Sequence, residues 1–274
     1  MSSQGQNLFR VGVAQLTSTD DFRANLEVVL SCMREASDQG AQLLAFPENC
    51  LYMRLKSGEP LVPFHLSSDE SGQVAQLAKQ KGLHVLLTTP VAKEAGRISN
   101  ATIYYSPLGE KRVVYEKIHL FDVDVENAPP VRESNDFAAG REPALIEVAG
   151  WKLGLSICYD IRFAELYSQY RDQVDIIFIP AAFLVPTGRA HWQVMNRARA
   201  IENQCYVVSP CQSGEHIGAG GVKRLTYGHS LVVSPWGEIL LDAENKTGVF
   251  TLDLDRARIE KARRQIPMGQ HRRL

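Results

Sequence analysis

Short, β-branched apolar runs alternate along the chain with segments of helical period, and this alternation narrows the choice of fold more than any other feature. RVGVAQL (10–16), AQLLAF (41–46), LHVLLTT (83–89), VDIIFIPAA and CYVVSPC read as strands. Between the first two, Phe22, Leu26, Val29, Met33 and Ala36 recur near helical spacing, opened by Ser18-Thr19-Asp20 and closed by Gly40. Helical patterns return around 70–81, in IRFAELYSQYRD and in RAHWQVMNRARAIENQ. Strand–helix–strand order implies parallel crossovers. Other strands lie too close together for a crossover: SNATIYYSPLGEKRVVYEK turns at Pro107-Leu108-Gly109, PALIEVAGWKLGLSIC at Gly150, and LTYGHSLVVSPWGEILLDA at Pro-Trp-Gly. GVFTLDLD is a last strand. The expectation is a single α/β domain over 1–274, with 256–274 as a C-terminal helix and tail. A sheet with helices on one face must also cover its other face, and a second sheet would do so.

Composition excludes several classes of function. The 274 residues are 45% hydrophobic and 22% charged, with 30 basic against 31 acidic side chains, so no field favours nucleic acid or an anionic membrane. The basic stretch RARIEKARRQIPMGQHRRL is short and suits a solvated helix face followed by a tail that docks on a neighbouring subunit. MSSQGQNLFR lacks the pattern of an export signal. The longest apolar run, IIFIPAAFLVP, is broken by prolines and falls far short of the ~20 residues of a membrane span. Five cysteines (32, 50, 158, 205, 211) form no CxxC pair, which suits free thiols in a reducing cytoplasm. GAGG (218–221) lacks a strand–turn–helix context, and the seven histidines show neither HExxH nor other metal-ligand spacing. No metal site or organic cofactor is expected.

Three polar residues sit where strand patterns stop. Cys158, in LGLSICYDIRFAELY, falls between a strand and a helical pattern. It reads either as a buried core thiol or as a nucleophile whose thiolate is favoured by helix amides beyond it. Glu48 in AFPEN is either a turn residue or a general base. Lys117 in RVVYEKIHLF is either solvated or a cation for an oxyanion. Together they supply nucleophile, base and oxyanion cation without a histidine.

The same three blocks, LLAFPEN, YEKIHLF and GLSICYDIRF, resemble in order the Glu–Lys–Cys signature of the nitrilase superfamily of carbon–nitrogen hydrolases. Further stretches are similar to its Nit branch: HLFDVDV, PTGRAHWQVMNRARAIENQCYVV, YGHSLVVSPWGEI and QHRR. The resemblance implies a four-layer αββα sandwich. It implies Glu48, Lys117 and Cys158 as catalytic residues, and Glu133 in VRESNDFAAG as a second glutamate orienting Lys117 or the substrate. The N–H of Tyr159 would serve the oxyanion. It also implies a thioester route and a homodimer or higher assembly. The AIENQCYVV and QHRR pieces look more like the branch's deaminated-glutathione amidases than its omega-amidases, so the expected substrate is a small amide anionic at both ends. An omega-amidase acting on 2-oxoglutaramate, or a non-catalytic interaction protein on the same fold, are the alternatives. Tyr52, Arg162, Phe183 and Thr187 lie just beyond the strand ends and are candidates for binding substrate.

Overall fold

The computed structural model describes residues 7–56, 58–124 and 130–273. Its elements begin β1 (Leu8–Gln15), α1 (Phe22–Asp38), β2 (Leu43–Ala45), α2 (Asp69–Lys81), β3 (His84–Ala92), β4 (Ile98–Tyr105) and β5 (Lys111–Glu116). A short pair follows, β6 (Asp122–Val123) and β7 (Val131–Arg132), then β8 (Ala144–Val148), β9 (Trp151–Leu155), α3 (Ala164–Ser168), β10 (Ile176–Phe178) and α4 (Val185–Asn203). The chain continues with β11 (Tyr206–Ser209), β12 (Ser213–Ile217), β13 (Lys223–Tyr227), β14 (Leu231–Val233), β15 (Ile239–Asp242) and β16 (Gly248–Asp255). Two helices close it, α5 (Arg256–Gln265) and α6 (Met268–His271).

Twelve of the strands form two six-stranded sheets, ordered β16-β1-β2-β3-β4-β5 and β15-β14-β11-β10-β9-β8. Each has a parallel centre, β1-β2-β3 in one and β9-β10-β11 in the other, flanked by antiparallel strands. Side chains alternate across a strand with period two, and here that alternation sorts two cores. Val11, Val13, Leu43, Ala45 and Leu86 belong to one core with Leu153, Leu155 and Phe178 of the second sheet. Their neighbours Ala14, Leu44, Val85 and Leu87 pack instead with Leu26 and Met33 of α1 and Val74 and Leu77 of α2. On the far side, α4 lies across β11 and β14, with Trp192 and Ala200 buried. The layers are therefore helix, sheet, sheet, helix: the αββα sandwich that the resemblance implies.

Helix boundaries follow local chemistry. Ser68 caps α2 by accepting from the Ser71 N–H, Asp69 and Glu70 occupy its first turn, Lys79 and Lys81 its last, and Gly82 closes it in a left-handed conformation. In α1 the cap is Asp21, one residue beyond the predicted Ser18-Thr19-Asp20. LTYGHSLVV divides: LTY belongs to the β12–β13 hairpin, outside both large sheets. The C-terminal segment makes contacts within its own chain, where Arg272 pairs with Asp172 at 3.0 Å and Gln204 holds the Ile266 carbonyl. No helix among the described residues is long and apolar enough to cross a membrane.

Leu153 is fully buried between the sheets. Leu153→Ala is expected to cost about 2–5 kcal/mol through lost transfer energy and an unfilled cavity. Leu108→Ala, in the exposed β4–β5 turn, should stay within about 0.5 kcal/mol; urea unfolding midpoints check both.

Candidate active site

The parallel strands end on one side of the sandwich, and the polar residues just past them converge there. Glu48 follows β2 on a turn that Asn49 makes by adopting φ 61°, which asparagine tolerates better than most residues. Gln212, just past β11, holds the Glu48 backbone carbonyl at 3.0 Å. Lys117 continues the β4–β5 ladder through its N–H to the Asn100 carbonyl (2.8 Å), while its own carbonyl accepts from Gly140 N–H (2.8 Å). A Cβ at position 140 would sit 2.2 Å from the Glu116 carbonyl oxygen, so only glycine lets the chain pass there.

Cys158 follows β9, and its N–H is bound to the Pro180 carbonyl at 2.9 Å. Its φ is 49°, a left-handed conformation that costs a non-glycine residue about 1–3 kcal/mol and presents the side chain from a sharp turn. The predicted helix behind it is instead a 3-10 turn over Cys158–Arg162, with α3 starting only at Ala164. What holds this turn is Asp160, fully buried. Its Oδ2 accepts from the Ile157 N–H (2.9 Å) and the Tyr115 hydroxyl (2.7 Å); its Oδ1 accepts from the His119 N–H (2.9 Å) and meets His119 Nδ1 at 2.7 Å. Tyr115 and His119 flank Lys117, so one carboxylate ties the cysteine turn to the lysine strand.

The Glu48 carboxylate is the hub. Its Oε1 accepts from Lys117 Nζ (2.8 Å) and Asn100 Nδ2 (2.8 Å), and its Oε2 accepts from the Ala182 N–H (3.0 Å). Lys117 Nζ also donates to Glu133, whose second oxygen accepts from the Phe121 N–H at 2.8 Å. Glu48 is 2% exposed and Lys117 1%. Burial alone would discharge that ammonium; Glu133 and Glu48 outweigh it and raise the lysine pKa well above its usual value.

Cys158 lines the same cavity as Glu48, Lys117 and Ala182. Burial first, then the Glu48 charge, raise its pKa well above that of a free thiol, and Lys117 only partly offsets them. This corrects the expectation of a thiolate favoured by helix amides. A preformed thiolate would add a second uncompensated negative charge to a dry site holding two carboxylates and one ammonium. Moving the thiol proton onto Glu48 leaves the site's net charge unchanged. The Tyr159 N–H has no acceptor among the described residues.

These groups open into a cavity lined by polar and apolar side chains together, among them Glu48, Lys117, Glu133, Cys158, Phe121 and Phe137. Arg162, Phe183 and Thr187 line it as expected. Arg162 stacks near Tyr159 and Phe183 and contacts His191 Nδ1 at 3.2 Å. Tyr52 is not brought to the wall: it is packed inside, its hydroxyl donating to the Pro60 carbonyl at 3.2 Å. Four contributors are not singled out in the sequence: Asn100, the Ala182 N–H, Arg54 and Arg224. Strand period two in KRLTY was the available signal for Arg224, since it sets Arg224 on the same face as buried Thr226.

The carbon-nitrogen hydrolase family model matches residues 10–264, and the chain belongs to that family. Among its relatives, it is 37% identical over 265 residues to a deaminated glutathione amidase of Synechocystis, covering 94% of this chain and 96% of that one. It is 32% identical to an omega-amidase of Bos taurus, covering 97% and 95%. The solved structure of the C. elegans NitFhit protein superposes with a TM-score of 0.82 at 29% identity, over 97% of this chain and 65% of that one.

The pH dependence of Cys158 alkylation tests these electrostatics. Iodoacetamide should modify the resting thiol slowly at neutral pH, with the rate still climbing above pH 9. Glu48→Gln removes a charge that raises the thiol pKa and leaves Lys117, so the climb should move to lower pH. Intact-mass kinetics across a pH series would read this, and an upward shift would contradict the assigned role of Glu48.

Proposed function

We propose that the protein is an amidase that hydrolyses deaminated glutathione to 2-oxoglutarate and cysteinylglycine through a thioester on Cys158. The observation that carries the mechanism is the hydrogen bonding of Glu48. Its Oε1 already accepts two donors, whereas its Oε2 accepts one, from the Ala182 N–H, in the cavity that Cys158 also lines. Oε2 is thus the atom with a lone pair free for a proton.

In this reading the Cys158 Sγ–H bond gives its proton to Glu48 as sulfur attacks the amide carbonyl. An ammonium has three N–H donors; two of those on Lys117 engage Glu48 and Glu133, which leaves the third for the oxyanion beside the Tyr159 N–H. As the C–N bond breaks, Glu48 returns the proton to the departing amine nitrogen. Water then adds to the thioester with Glu48 taking its proton, the C–S bond breaks, and the proton goes back to sulfur. Glu133 keeps Lys117 charged and aimed. Arg162, on the wall near the cysteine turn, suits the carboxylate of the 2-oxo acid half.

An omega-amidase reaction on 2-oxoglutaramate would use the same steps with ammonia as leaving group. The relatives named for deaminated glutathione, at higher identity, favour the larger substrate. We further propose action in the cytoplasm as a homodimer or larger assembly. Exposed Val194 and Ile201 on α4, with Trp236 and Ile239 on the β14–β15 hairpin, supply an apolar face suited to a second copy.

Side-by-side hydrolysis of deaminated glutathione and 2-oxoglutaramate tests the proposal. Catalytic efficiency at least tenfold higher on the first is expected, with Cys158→Ala inactive and Lys117→Ala down by ~10²–10³. Acid-quenched enzyme should carry the mass of a 2-oxoglutaryl group on Cys158. A preference for 2-oxoglutaramate would overturn the substrate and keep the route.

A further inference from the structure

Arg54, Val131, Leu184 and Arg224 line both the reaction cavity and a second, outer cavity, and their shared boundary is termed the neck. Arg54 and Arg224 both line the two spaces, but their charges are in different states. Arg54 is paired with Asp136 at 2.6 Å and also donates to the Glu59 carbonyl. Of the outer cavity's other cations, Arg132 is paired with Asp124 and Lys223 with Glu215, while Lys56 is exposed to solvent and makes no ion pair among the described residues. Arg224 makes no ion pair among the described residues; it reaches only the Arg54 backbone carbonyl, at 3.4 Å.

The fold explains why Arg224 points inward. In the β12–β13 hairpin it lies opposite His216, a fully buried residue whose Nε2 meets Thr226 Oγ1 at 2.7 Å and whose Nδ1 meets the Ser18 carbonyl at 2.6 Å. The neighbours Lys223 and Leu225 take the opposite, exposed face. Burial lowers the Arg224 pKa, while the charges of Glu48 and Glu133 act against that, so the guanidinium is partly desolvated and within the field of the reacting groups. A partly buried guanidinium without a carboxylate among the described residues is an arrangement that an anionic ligand would stabilise.

We infer that Arg224 is the receptor for a carboxylate on the amine half of the substrate, and that the outer cavity houses that half. The inference rests on the amidase reading above and adds a specificity-determining residue to it. A two-residue amine spans roughly 7 Å from the scissile carbonyl to its terminal carboxylate, which carries that group out of the reaction cavity and toward the neck. Arg162, which lines only the reaction cavity, is left for the acyl end. The enzyme thus distinguishes amides by the charge of what leaves: an amine ending in a carboxylate gains from Arg224, and ammonia does not.

The test compares deaminated glutathione with the same compound carrying glycinamide in place of the terminal glycine. Wild-type enzyme should favour the free acid by ~10–100-fold in kcat/KM, chiefly through KM, as expected for a charged hydrogen-bonded contact. Arg224→Met should lose that preference, falling ~10–100-fold on the acid and about threefold or less on the amide. Arg224→Lys should recover part of it. Equal loss on both substrates would overturn the assignment, because Arg224 would then act on the acyl end or on the catalytic groups. If Arg224→Met fails to fold, the wild-type comparison decides alone, and no preference for the acid overturns the inference. Wild-type enzyme that cleaves 2-oxoglutaramate but neither dipeptide amide would instead remove the substrate reading, and this inference with it.

Discussion

A carboxylate, an ammonium and a second carboxylate share a site from which water is almost excluded, and the rest of the structure is arranged to keep them there. Neither Glu48 nor Lys117 could remain charged alone at such depth; removing one partner of a pair like this typically costs about 3–5 kcal/mol because the other is stranded. Each is therefore fixed by its backbone as well as its side chain. Gln212 and Asn49 shape the Glu48 turn, Gly140 lets a loop cross against the Lys117 strand, and Asn100 supports both residues, by its side chain on Glu48 and by its carbonyl on the Lys117 N–H. The two central sheets bring these segments together, since Glu48 and Lys117 belong to one and Cys158 and Ala182 to the other.

Asp160 transmits that registration to the nucleophile. Its carboxylate joins the Cys158 turn to residues on both sides of Lys117, so sulfur and ammonium are positioned by one rigid brace rather than by two independent loops. The strained φ of Cys158 persists because the surrounding hydrogen bonds over-determine it. Burial and the Glu48 charge raise the thiol pKa well above its usual value, and a proton transfer from sulfur to Glu48 would keep the site's net charge constant.

Substrate recognition follows from the same accounting of charge. Three of the five cations lining the outer cavity, Arg54, Arg132 and Lys223, are already paired with a neighbouring acid, so positive charge alone does not mark a binding residue. What distinguishes Arg224 is that it is partly buried, lines both spaces and makes no ion pair among the described residues, whereas Lys56 is exposed and lines only the outer one. Arg162, held between two aromatic rings on the nucleophile side, occupies the other end.

Much of the architecture was legible in the sequence. Short β-branched apolar runs placed the strands, hairpin turns at Pro107-Leu108-Gly109 and Gly150 were correctly located, and helical spacing marked α1 and α2. Glu48, Lys117 and Cys158 stood out as polar residues where strand patterns stop, and the resemblance to the nitrilase superfamily added Glu133. Other features depended on contacts between segments far apart in the chain. The helix expected behind Cys158 gave way to a 3-10 turn because Asp160 is drawn to Tyr115 and His119, some 40 residues earlier. The thiol pKa reversed direction because burial and Glu48 act through space. Tyr52 turned away from the cavity toward Pro60, and the tail found Asp172 of its own chain. Local pattern records which residues suit a strand, a turn or a cap. The charge state of a thiol, and whether an arginine has a partner, depend on which distant groups the fold brings within a few ångströms, and only the tertiary structure decides that.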